Sequence, residues 1–180
     1  YFFGSVDVCE HIYRMQQYYL LEPERIHSST FCGFSFRMSL SESEKPGFFD
    51  FKNHEPFYFD NVISYVTKEI EEVSKLDFDE MWKRQFLVNA NMVLFSAHLA
   101  KIRMGIKYDK SELNYLIDFC DEITKEHTAL WLQLNYEEGL DDFVSQLNSL
   151  KEQLIEMAKS ALNNSYSPYS GFKVGAALLC

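Results

Sequence analysis

The sequence predicts a mainly α protein, an antiparallel helical bundle followed by one turn and a single β-strand. Three observations carry this prediction. Apolar residues recur at three- and four-residue steps in four long stretches between 60 and 162. Capping residues stand at the ends of these stretches. The connections between them are only a few residues long, which favours antiparallel neighbours.

Residues 1–57 read as an irregular segment with one short helix. Val6, Cys9, Ile12, Tyr13 and Leu20 suggest that helix around 6–20. The stretch 23–56 mixes Ser, Gly, Pro and aromatic residues and reads as loop, with one short strand at 31–38. Within it, the polar run 39–47 has the composition of a linker.

Residues 58–150 read as the bundle itself. The first long helix, 60–76, carries Val62, Ile63, Val66, Ile70, Val73 and Leu76 on one stripe, with Asp60 as its expected N-cap. The second, 78–104, has Trp82, Phe86, Val93, Leu99 and Ile102 among its apolar positions. Asp77 and Glu80 resemble a capping box at its start, and Gly105 suits the left-handed residue past its end. The third, 110–135, has the most regular stripe: Leu113, Leu116, Ile117, Cys120, Ile123, His127, Leu130, Trp131 and Leu134. Asp109 and Glu112 form its capping box. The fourth, 140–162, carries Leu140, Phe143, Leu147, Leu150, Leu154, Met157 and Ala161.

Residues 151–180 change character part-way. Asn163 to Gly171 is turn chemistry throughout, and 172–179 reads as a strand. Gly175, Ala176 and Ala177 suit close packing of a helix or strand over it. One helix, one turn and one strand do not make a domain. The chain begins without Met and ends on an apolar run, so a fragment is expected.

Composition bounds the function. With 16 Phe and 11 Tyr the chain is rich enough in apolar surface to form a core. A net charge of -10 disfavours nucleic acid and anionic membrane as partners, and leaves a small neutral substrate compatible. Cys9, Cys32, Cys120 and Cys180 are far apart with no C-x-x-C pair, so free thiols in a reducing cytoplasm are expected. No apolar run is long enough to cross a bilayer, and Tyr1-Phe2-Phe3 lacks the features of a signal peptide.

Individual polar residues favour plain roles. His11, His27, His54, His98 and His127 show no paired ligand spacing, and His127 on an apolar stripe reads as a hydrogen-bonded core histidine. Glu137, Glu138, Asp141 and Asp142 fall at a helix start, where carboxylates favour the dipole rather than glycosidic acid–base chemistry. Glu69, Glu71 and Glu72 read as a solvated helix face. Trp82 and Trp131 read as core rather than a sugar-stacking platform.

The run Ser167-Pro168-Tyr169-Ser170-Gly171-Phe172-Lys173-Val174-Gly175-Ala176-Ala177-Leu178-Leu179 resembles the first loop and strand of homotetrameric cytidine deaminases. The preceding helix, with Ala158-Lys159-Ser160-Ala161, is similar to that family's first helix. The resemblance covers about a sixth of the chain and implies the start of an incomplete α/β deaminase domain. In that family zinc activates the attacking water and a Glu moves the protons. The Cys-or-His-x-Glu and Pro-Cys-x-x-Cys motifs that hold them have no counterpart in this sequence, so no catalytic residue and no zinc ligand carries over, Cys180 included. Phe172 matches the aromatic that lines the pyrimidine pocket. Zinc, a nucleoside substrate and oligomerisation are implied only for a completed domain.

A second run, 129–142, resembles the helical tail of β-N-acetylhexosaminidase-type glycoside hydrolases, with Tyr136 and Phe143 departing from the family pattern. The stretch 16–38 resembles part of the same region. The first expectation is therefore a catalytically incomplete piece whose parent deaminates cytidine or deoxycytidine. The alternatives are a helical accessory region of a glycoside hydrolase and a helical interaction module with no enzymatic role.

Overall fold

A computed structural model of the chain describes residues 6–23, 30–42, 44–45 and 49–163. The expected strand at 172–179, Phe172 and Cys180 lie outside the described residues. Among the described residues the fold is mainly α: α1 (Val6–Met15), a 3-10 helix (Gln16–Leu21), α2 (Phe31–Ser35), α3 (Phe57–Lys75), α4 (Glu80–Arg103), α5 (Lys110–Leu134) and α6 (Leu140–Asn163). Two short strands, β1 (Glu44–Lys45) and β2 (Phe49–Asp50), pair antiparallel between α2 and α3.

The long helices alternate in direction. Lys101, near the end of α4, pairs with Asp60 at the start of α3 at 2.6 Å. Lys83, near the start of α4, donates to the Leu76 carbonyl just past the end of α3. Arg84 at the start of α4 reaches Glu126 late in α5. Lys151 in α6 reaches Asp121 in α5. Such exposed or half-exposed pairs contribute roughly 0–1 kcal/mol each, so they report the arrangement more than they cause it.

The cause is burial. One apolar cluster runs from Met15 and Phe31 through Phe59, Val66, Phe95, Leu99, Leu116 and Ile123 to Leu147, Leu154 and Ala158. Residues of 1–57 therefore share the core of the long helices: Phe31, Cys32, Met38, Leu40 and Phe51 are all buried within it. Phe31 stands edge-on to Phe51 with centroids 5.1 Å apart, a favoured aromatic geometry. α6 crosses residue 150 without a break and buries Leu147, Leu150 and Leu154 completely.

α4 is the central helix. It buries Phe86, Ala90, Leu94, Phe95, Ser96, Ala97, Leu99 and Ala100, which together cover more than one face. A helix packed by α2, α3 and α5 has no single solvent side, which is why its apolar residues form a weaker stripe than those of α5. Its small residues let neighbouring backbones approach.

Several local expectations change. The strand expected at 31–38 is instead the helix α2, because Thr30 caps it through the Gly33 amide at 2.9 Å and a distant carboxylate takes the two amides before that. α3 begins at Phe57, with Pro56 at the N-cap, so Asp60 lies in its first turn. The cap of α4 is Asp79, whose side chain accepts from the Trp82 amide at 3.1 Å, rather than Asp77. The Asp109–Glu112 capping box of α5 forms as expected. Gly105 takes φ of 88°, as its place past α4 predicts.

Candidate functional site

α2 has only five residues, too few to persist as an isolated helix. It is held by a buried charge at each end. At its start, the Glu22 carboxylate accepts from the Phe31 and Cys32 amides at 2.7 and 2.9 Å. Beyond its end, the Arg103 guanidinium donates to the Ser35 and Met38 carbonyls, and to Leu99 within α4. Both side chains are buried, and the signs match the exposed amides at one end and the carbonyls at the other. Burial pushes the Glu22 carboxyl above its usual range, opposed by the amide bonds from Cys32 and Phe31. Burial also lowers Arg103 to about 10, opposed by Glu42, which leaves it charged near neutral pH.

A second buried polar contact joins α1 to α3. His11 Nδ1 lies 2.7 Å from Glu69, with side chains 13% and 5% exposed. The Tyr65 hydroxyl adds a bond to the Arg14 carbonyl. Glu69 is thus not part of a solvated face. Of the three carboxylates read that way, Glu71 is exposed and Glu72 half-buried.

Two cavities with some polar groups on largely apolar walls lie along α4 and α5. The first, of about 230 Å³, is lined by His98, Tyr108, Ser111, Glu112, Tyr115 and Leu116. His98 Nδ1 and the Tyr108 hydroxyl share a hydrogen bond of 2.9 Å. Burial, then Lys101, lowers His98 to about 4, with Asp60 opposing. Burial, then Glu112 and Asp60, raises the Tyr108 phenol well above its ordinary value. Both groups are neutral near pH 7. An acid–base catalyst works best with its pKa near the operating pH, so this pair is poised for hydrogen bonding rather than proton transfer.

The second cavity, of about 370 Å³, has Leu87, Val88 and Ile123 on its walls and Arg84, Asn91, Glu122, Lys125 and Glu126 around them. Arg84 Nε and Nη2 both donate to one oxygen of Glu126, at 3.2 and 2.8 Å. Its two principal opposite charges thereby satisfy each other.

The remaining sequence candidates are dispersed. His127 packs against Phe143 at 4.0 Å between centroids and against Trp131, and burial lowers its pKa. The Trp131 indole donates to the Tyr136 carbonyl at 2.7 Å, which ties down the α5–α6 turn. Glu137, Glu138, Asp141 and Asp142 are all exposed around that turn. Trp82 and Trp131 are both half-buried, Trp82 near the start of α4 and Trp131 in the last turn of α5. Among the described residues Cys9 is exposed and Cys32 and Cys120 are buried, all as free thiols. No group of three or more His, Cys, Asp or Glu converges among the described residues. None of their helices is long and apolar enough to cross a membrane.

Glu22 and Arg103 had no signature in the sequence. Glu22 looks like any loop acid before Pro23, and Arg103 like an ordinary basic residue in a helix's last turn. Comparison with protein-family models, curated proteins and solved structures gives no match for this chain.

Proposed function

We propose that residues 6–163 form a non-catalytic helical module that serves a neighbouring catalytic domain, as the resemblance of 129–142 to a glycoside hydrolase tail implies. The observation that carries this reading is the use made of the buried charges. Glu22, Arg103 and Glu69 are each engaged within the bundle: Glu22 holds the start of α2, Arg103 ties the end of α2 to α4, and Glu69 ties α1 to α3. A buried carboxylate spent on two backbone amides is not free to act on a substrate. The test uses the chain as it stands. It should unfold in one cooperative transition and turn over neither aryl N-acetylhexosaminides nor cytidine. Turnover of either, lost on Glu22→Gln in a variant that keeps its unfolding midpoint, overturns the reading.

A second reading rests on the ordered string 167–179. Here the module precedes a zinc-dependent deaminase domain acting on cytidine or deoxycytidine, with Phe172 against the pyrimidine. Its support is the sequence resemblance alone. A polypeptide continuing past Cys180 that supplies the family's zinc motifs should bind about one zinc per chain, as a three-ligand catalytic site requires. In it, Phe172→Ala should raise KM several-fold with zinc content unchanged. An unchanged KM with a large loss of stability would end the pocket role.

A further inference from the structure

A third cavity lies where the 3-10 helix, α2, α4 and α6 meet, with a volume of about 150 Å³. Its floor is the buried pair Cys32 and Ser96, and its walls are half-buried Tyr18, Phe36, Met92, Val93 and Phe143. Exposed Gly33 marks where it meets solvent.

We propose that this cavity is a binding site for a small, flat, uncharged apolar molecule of about benzene size. Volume is the first reason: the pocket's roughly 150 Å³ is the size that admits a benzene-sized guest, and its opening at Gly33 gives such a guest a way in. The second reason is that its polar atoms are already engaged. Ser96 Oγ donates to the Met92 carbonyl at 2.7 Å, and the Tyr18 hydroxyl lies 3.4 Å from Thr30 Oγ1. A guest with its own donors would find few partners, and a polar group buried without partners is penalised.

The walls also carry no charge near neutral pH. Burial raises Tyr18 to about 12, and burial with the nearby Glu22 raises the Cys32 thiol well above its usual value. Shape supplies the third reason. Phe36 and Phe143, both on the lining, stack on each other at 5.7 Å with rings only 17° from parallel, which makes that side of the pocket a rigid aromatic wall. His127 backs Phe143 at 4.0 Å and holds that ring in place. Met92 lends the flexible thioether common in adaptable apolar sites.

The probe is fluorobenzene, followed by fluorine NMR and by thermal unfolding. With the native chain, the fluorine signal should broaden and shift with a dissociation constant on the order of 1 mM, reasonable for a guest of this size. The unfolding midpoint should rise with fluorobenzene concentration. Val93→Phe, which fills the cavity from α4, should abolish both effects while keeping the helical circular dichroism spectrum. Where Val93→Phe does not fold, Met92→Ala decides: by enlarging the cavity it should bind indole several-fold more tightly than the native chain does. No fluorine shift with folded native protein overturns the proposal. So does an equal shift with folded Val93→Phe, or unimproved indole binding by Met92→Ala.

Discussion

α2 and the α5–α6 hairpin are both helical, and they are held by opposite means. α5 and α6 bring long apolar stripes together: Leu116, Ile123, Leu147, Leu150 and Leu154 are fully or almost fully buried. Their start and turn are set locally, by the Asp109–Glu112 box and by Gly139 at φ of 89°. α2 has five residues, and its end groups are satisfied by Glu22, nine residues before Phe31, and by Arg103, sixty-eight residues after Ser35. A long amphipathic helix carries its own reasons to fold. A short one borrows them from the rest of the chain.

The comparison breaks most visibly at Arg103. Arg103→Ala strands the Ser35 and Met38 carbonyls in the core, and should cost about 3–5 kcal/mol, since each buried orphan costs about 1–3 and packing over Phe51 is lost as well. Hydrogen exchange should show α2 amides losing protection while α5 and α6 amides keep theirs. Equal loss in both regions would mean that α2 is not separately held.

Leu154→Ala strikes the other region. It should cost about 3 kcal/mol by denaturant unfolding, as a fully buried leucine does. A cost below about 1 kcal/mol would place the second half of α6 outside the bundle, because surface substitutions fall in that range.

Acid separates the Glu22 anchor of α2 from buried His98 of α4 by sign. His98, at about 4 in the fold against an ordinary 6.5, resists protonation that the unfolded chain accepts. Its contribution is therefore intact above 6.5 and lost as pH falls towards 4, on the order of 3 kcal/mol in all. Glu22, with its carboxyl raised, acts the other way: the folded state holds its proton longer, so stability falls as pH rises from 4.5 through the raised value. Stability against pH for His98→Gln and Glu22→Gln, each compared with the native chain, should show these two slopes removed separately.

The smallest effect sharpens the local side. Asp109→Ala should cost about 1 kcal/mol, the usual worth of an N-cap, and should leave α2 protection untouched.

The sequence by itself determined the four long helices, the capping box of α5, the left-handed Gly105 and the helix near the start of the chain. Each is written in residues a few positions apart, where 3.6-residue periodicity and capping chemistry act. It misplaced the caps of α3 and α4 by a few residues: α3 starts on Pro56 with no side-chain cap, and at α4 Asp79 rather than Asp77 meets the Trp82 amide. It read 31–38 as a strand and Glu69 as solvated, because Glu22, Arg103 and His11 meet their partners only after the chain has folded. It also left the candidate site illegible. Cavities along α4 are made by side chains from more than one helix, and spacing along one helix cannot encode them. Only the tertiary structure decided which charges are buried, since burial of a charge depends on what arrives from elsewhere to pair with it.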